Sequence, residues 1–138
     1  MNVKQLSVFI ENKAGRVSEI TDILGRSDVN IRGFSVSDTA EFGIVRLIVD
    51  APERGEQALV DAGFTVKVTD VLCIDLPDLP GGLAGVLKVV SGSGVNIEYV
   101  YSLIGTYVVI NVADIDKAVE LLAGQPVVLV SQEQIARI

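Results

Sequence analysis

Gly15-Arg16-Val17-Ser18-Glu19-Ile20 and Gly81-Gly82-Leu83-Ala84-Gly85-Val86 open two segments that read alike. Their numbers differ by 66, and the same offset pairs Ile23 with Val89 and Leu24 with Val90. It then pairs Ser27, Val29, Asn30 and Ile31 with the identical Ser93, Val95, Asn96 and Ile97. Helix, turn and strand positions all keep step, which marks an internal duplication. Past the next loop the offset falls to 63, where Val45, Leu47 and Val49 answer to Val108, Ile110 and Val112. A shorter hairpin loop in the second copy accounts for the slip.

Working outward, each copy has one order of elements. Leu6, Val8 and Ile10 alternate as in a half-buried strand. Asn12-Lys13-Ala14-Gly15 is a loop, and Val17, Ile20, Ile23 and Leu24 fall at helical spacing. A strand over Val29–Val36, turn residues from Asp38 to Gly43 and a strand over Ile44–Val49 read as a hairpin. Pro52 suits the start of a second helix that buries Ala58, Leu59 and Ala62 and is capped by Gly63. Phe64–Val68 closes the copy as a fourth strand. The second copy repeats this: strand Val71–Leu76, helix Gly81–Ser93, strands Val95–Leu103 and Thr106–Val112, helix Ile115–Ala123 and strand Val127–Val130. The tail Ser131–Ile138 reads as an extra edge strand or a loose end. The expectation is an α+β chain of two tandem ferredoxin-like βαββαβ modules, residues 1–69 and 70–138, with antiparallel sheets and helices on one face.

That fold hosts unrelated functions, so composition has to discriminate. With 18 acidic against 11 basic residues the net charge is −7, which opposes binding to nucleic acid or to anionic membranes. The first sheet carries few aromatics for stacking on bases, Phe9 and Phe34 among them. The chain has no histidine, and its one cysteine, Cys73, lies in an apolar run. No metal site, cofactor or catalytic residue is therefore expected. Glu53, Glu56, Asp61, Asp114 and Asp116 fit solvated helix faces and first turns rather than an acid/base pair. No stretch approaches the ~20 apolar residues of a membrane span, so the protein is expected in the cytoplasm.

What the copies share is a loop-to-helix junction, Asn12-Lys13-Ala14-Gly15 and Asp78-Leu79-Pro80-Gly81, each followed by an asparagine, Asn30 or Asn96. A helix start offers unpartnered amides and a positive dipole end. A carboxylate can dock on the amides near Gly15-Arg16-Val17 or Gly81-Gly82-Leu83, while Asn12 or Asp78 accepts from an ammonium. An α-amino acid carries both groups. The competing reading is that Asn12 and Asp78 cap their own helices and that Asn30 and Asn96 are turn residues.

The D/N-x-P-G-like loop, amphipathic helix and V-N-I strand start resemble the ACT-domain family. They are matched by Asp78-Leu79-Pro80-Gly81 with Val95-Asn96-Ile97, and by Asn12-Lys13-Ala14-Gly15 with Val29-Asn30-Ile31. The resemblance covers nearly the whole chain as a tandem pair. It implies a non-catalytic, allosteric amino-acid sensor whose ligand sits at an interface between modules. The implied contacts are Asn12, Ala14, Gly15, Arg16, Val17, Asn30 and Ile31, and Asp78, Leu79, Pro80, Gly81, Gly82, Leu83, Asn96 and Ile97. Ala14 stands where the family has proline, and Gly82 suggests a more open second loop. Without a catalytic region in the sequence, the sensing role implies a separate metabolic enzyme as partner. The alternatives are a structural assembly module without its own ligand, or an enzyme with an unfamiliar pocket. Tyr99, Tyr101 and Tyr107 either line an apolar pocket or lie on a strand surface. The helix from Leu83 to Val90 carries one charge, Lys88. It is expected to bury more than one side between modules or between chains, with a homodimer as the assembly.

Overall fold

The computed structural model describes residues 2–38 and 41–138. Thr39 and Ala40, within the turn expected from Asp38 to Gly43, lie outside the described residues. The elements run β1 (Val3–Glu11), α1 (Arg16–Arg26), β2 (Ile31–Asp38), β3 (Phe42–Val49), α2 (Pro52–Asp61) and β4 (Thr65–Asp75). They continue with α3 (Gly82–Gly92), β5 (Ile97–Ser102), β6 (Tyr107–Val112), α4 (Ile115–Leu122), β7 (Val128–Leu129) and α5 (Gln132–Ala136). Twice over, this is the βαββαβ order of a ferredoxin-like module. Contacts divide the described residues into two compact units, one of residues 4–69 with 133–138, the other of residues 70–132 with residues 2 and 3.

In the first unit β3 lies between β2 and β1 and is antiparallel to both, so β1 and β2 run the same way. Alternation puts Leu6, Val8, Val45, Leu47 and Val49 on the face that meets Ile20, Ile23 and Leu24 of α1 and Leu59 of α2. Ala58 is only half-buried and Ala62 is exposed, contrary to the helical count; Gly55 takes the inward place. A methyl there would stand 3.2 Å from Leu6 Cδ1 and 3.4 Å from Leu24 Cδ2, so the missing side chain lets α2 approach closely. The tail is neither strand nor loose end: α5 is a short helix and Ile135 is fully buried.

The second unit repeats the plan, with β6 between β5 and β4 and with β7 on the other side of β4. Its core joins Leu72, Ile74, Val108, Ile110 and Val112 to Val86 and Val90 of α3 and Ala118 and Leu122 of α4. Two strand expectations shift. Phe64–Val68 and Val71–Leu76 merge into the single strand β4, and the final strand shrinks to two residues. Helix α3 buries Val86 and Val90 but leaves Leu83 43% exposed, with Ala84 and Gly85 open beside it. Within the chain's own fold, the second apolar side expected to be covered is therefore uncovered. Tyr99 and Tyr101 stack at 6.3 Å with 14° between their planes. Both are half-buried and face away from the helix-side residue Val100 between them. Among the described residues no helix is long and apolar enough to cross a membrane.

Candidate functional site

Both helix starts use the same backbone device. Gly15 (φ 86°) and Gly81 (φ 83°) stand at the N-caps of α1 and α3 in the left-handed region, and neither helix has a side-chain cap. An L-residue with a side chain is disfavoured there, which explains glycine at both places. Asn12 and Asp78 are exposed and do not cap α1 and α3, so the self-capping reading fails. By contrast, Asp114 caps α4 by accepting from Lys117 N at 3.1 Å.

The first amides turn back on the loop. Arg16 N–H donates to Lys13 O at 3.4 Å and Gly82 N–H to Leu79 O at 2.9 Å. The first amides not turned back on the loop are therefore those of Val17 and Leu83 rather than those of Arg16 and Gly82. The two loops differ at this step. A methyl on Gly82 would fall 2.1 Å from Pro77 O, so the second loop is closed tightly on itself, not more open. Arg16 in the first copy extends its side chain to Glu19, Nη1 to Oε2 at 3.1 Å.

A cleft of ≈ 220 Å³ opens beside the first junction, lined by Phe9, Ile10, Glu11, Arg16 and the turn from Ala62 to Thr65. Glu11 is paired with Lys13 at 2.7 Å, and that hydrogen bond and charge hold its carboxyl below the usual range. In the second copy Pro77, Asp78, Leu79 and Pro80 are all exposed, Leu79 at 72%.

The asparagines are elsewhere. Ile31 pairs with Val49 while Glu11 pairs with Phe42, so Asn30 and the Gly15 loop lie at opposite ends of the sheet. The length of β2 separates them by roughly 20–25 Å. Likewise Ile97 pairs with Val112 and Asp75 with Tyr107, which sets Asn96 at the far end from Gly81. Within one module, loop and asparagine do not grip a common ligand. Ile31 and Ile97 pack partly into their cores.

Each asparagine has its own cleft. Asn30 shares one of ≈ 470 Å³ with Gly25, Asp28, Val29, Asp50 and Arg54. Its N–H donates to Asp50 Oδ1 at 2.8 Å, and Arg54 Nη2 donates to Asp28 O at 2.5 Å. Asn96 shares one of ≈ 220 Å³ with Gly94, Val95, Ala113, Asp114, Lys117, Ala118 and Leu121. Arg54 and Lys117 are separated by the same 63 residues that relate β3 to β6, so the repeat register carries a signal for this basic position. Cys73 is fully buried, and burial together with the charge of Asp75 pushes its thiol up to about 12, which leaves it unreactive.

The profile of the ACT domain pair family matches residues 1–138. The chain belongs to the ACT domain pair family. Among solved structures this ACT domain pair resembles protein BT0572 from Bacteroides thetaiotaomicron, at 40% identity over 100% of this chain and 98% of that one, with a TM-score of 0.93. The regulatory subunit of aspartate kinase from Thermus thermophilus, in its ligand-free form, shares the fold at 14% identity and a TM-score of 0.64, over 90% and 93% of the two chains. Its counterpart from Thermus flavus does so at 12% and 0.61, over 90% and 92%. No curated protein sequence matches. The fold and the pairing of modules read from the repeat are thus those of the ACT domain pair family.

Proposed function

We propose that this ACT domain pair is a non-catalytic amino-acid sensor that acts on a separate metabolic enzyme. The observation that carries the reading is the pair of glycine-capped helix starts without side-chain caps, one per module, at Gly15 and Gly81. Uncapped amides at a dipole's positive end favour a carboxylate. The regulatory half of the reading rests on family membership and on the aspartate kinase regulatory subunits that share the fold.

The distance between loop and asparagine points to a second chain in the assembly. β2 ends its row of strands, leaving an unpaired edge with Phe34 65% and Val36 47% exposed. Antiparallel pairing of β2 with its own copy across a two-fold sets the start of one strand beside the end of the other. Asn30 of one protomer then approaches the Gly15 loop of its partner. The edge strand β5 allows the same for Asn96 and Gly81.

Calorimetry against the twenty amino acids tests this. At least one is expected to bind below about 1 mM, raise the melting temperature and weaken about tenfold or more in Asn30→Ala or Asn96→Ala. Sedimentation is expected to show a dimer that the same ligand tightens. If none of the twenty binds, the sensor reading falls and a structural assembly module takes its place.

A further inference from the structure

A second anion-binding feature lies in β2, apart from either glycine loop. The ladder pairs Ile31 with Val49 and then Gly33 with Ile48, so Arg32 is the extra residue of a bulge. Ile31 and Val49 belong to the helix-side core. Ile48, between Leu47 and Val49, is on the other face, and the bulge carries Arg32 toward that side with Gly33. The same face holds Gln5 and Ser7 on β1, fully and nearly fully buried, with Gln5 Nε2 donating to Ser7 Oγ at 3.2 Å.

Arg32 is only 8% exposed, and its Nε and Nη2 are buried with no hydrogen-bond partner. A guanidinium does not release its proton at any ordinary pH, so it cannot escape the cost of burial by becoming neutral. The two nitrogens share one edge of the guanidinium. Their N–H bonds run parallel, and that is the fork a carboxylate's two oxygens fit. The duplicated position answers differently. Glu98, 66 residues on, occupies the matching bulge between Ile97 and Tyr99 and accepts from Asn111 Nδ2 at 2.9 Å. The residue facing this bulge in the first copy is apolar Ile48, which can satisfy no charge. The second copy completes its own pair; the first leaves two buried guanidinium nitrogens without an acceptor.

We propose that Arg32 is the anchor of a carboxylate site on the first module, filled by a small carboxylate ligand that grips the Nε–Nη2 edge. The site is distinct from the Gly15 loop and uses none of its residues. Because both nitrogens are shut from solvent, capture requires the side chain to turn about its own torsions before it closes on the ligand. With a net charge of −7 the protein repels anions in general, and excluded anions can stabilise a fold without a site, so the part of the response that depends on Arg32 is what reports the site.

The test replaces sodium chloride by sodium acetate or disodium succinate at constant ionic strength and follows the melting temperature of the full chain. The wild type is expected to rise with carboxylate concentration. Arg32→Met is expected to abolish the rise, and Arg32→Lys, which cannot fork, to weaken it about tenfold. Where Arg32→Met does not fold, the Arg32 Nε–Hε resonance of the wild type, titrated with acetate, supplies the readout. It should shift and saturate. A melting temperature indifferent to carboxylate, an equal rise in Arg32→Met, or an Nε–Hε resonance that ignores acetate and follows protein concentration each overturns the proposal. The last would assign the acceptor to a second chain. Amino-acid binding at the glycine loops should survive Arg32→Met, so the two proposals fail separately.

Discussion

The junction at Gly15-Arg16 and the junction at Gly81-Gly82 have the same backbone and different chemistry. Both glycines take φ near +85°, and neither helix start is capped by a side chain. The residue after the glycine then decides what each loop is. In the first copy Arg16 lines a cleft and reaches toward Glu19. In the second, Gly82 is pressed against the Pro77 carbonyl, where a side chain has no room. Duplication kept the turn that exposes helix amides and released the neighbouring position to diverge. The bulges show the same division: identical ladder slip, opposite charge at Arg32 and Glu98.

The largest break in this comparison should come from placing one methyl in each loop. Gly82→Ala is expected to cost about 2–3 kcal/mol in urea unfolding, because backbone must move to relieve a 2.1 Å contact. Arg16→Ala, at the matching position, should stay within about 0.5 kcal/mol, since it removes only an exposed pair. Equal costs would mean that the two loops do not differ as described.

A smaller effect sharpens the contrast between the second helices. Ala51 and Asp114 occupy the same N-cap, with φ, ψ of −133°, 80° and −123°, 93°, but only Asp114 bonds an amide. Ala51→Asp should stabilise the first module by about 0.5–1 kcal/mol and Asp114→Ala should cost the second about as much. A destabilising Ala51→Asp would show that the two helix starts are not equivalent.

The smallest effect concerns charge beside the first junction. Lys13 holds the Glu11 carboxyl below its usual range. This pair favours the folded state above the unfolded carboxyl's pKa, and the benefit fades as pH falls through the lower folded value. Lys13→Met should move the Glu11 titration midpoint upward by NMR. An unmoved Glu11 midpoint would remove Lys13 as the cause.

Much of this was legible in the residues themselves. The offset of 66 between identical Ser, Val, Asn and Ile residues specified two βαββαβ modules, because helix and strand periods are written directly in apolar spacing. The glycines at 15 and 81 were legible for a related reason: a left-handed turn admits few other residues. What periodicity could not supply was position along the third dimension. Asn30 is 15 residues from Gly15 in sequence, yet parallel β1 and β2 put them at opposite ends of a sheet. Helical spacing pointed to Ala58, Leu59 and Ala62, whereas Gly55 proved to be a contact that seats α2. Arg32 lies inside the strand expected over Val29–Val36, and nothing in its spacing set it apart. Only the bulge and the burial around it revealed guanidinium nitrogens without an acceptor, since neither the solvation of a side chain nor the partner across a ladder is encoded in its own neighbours.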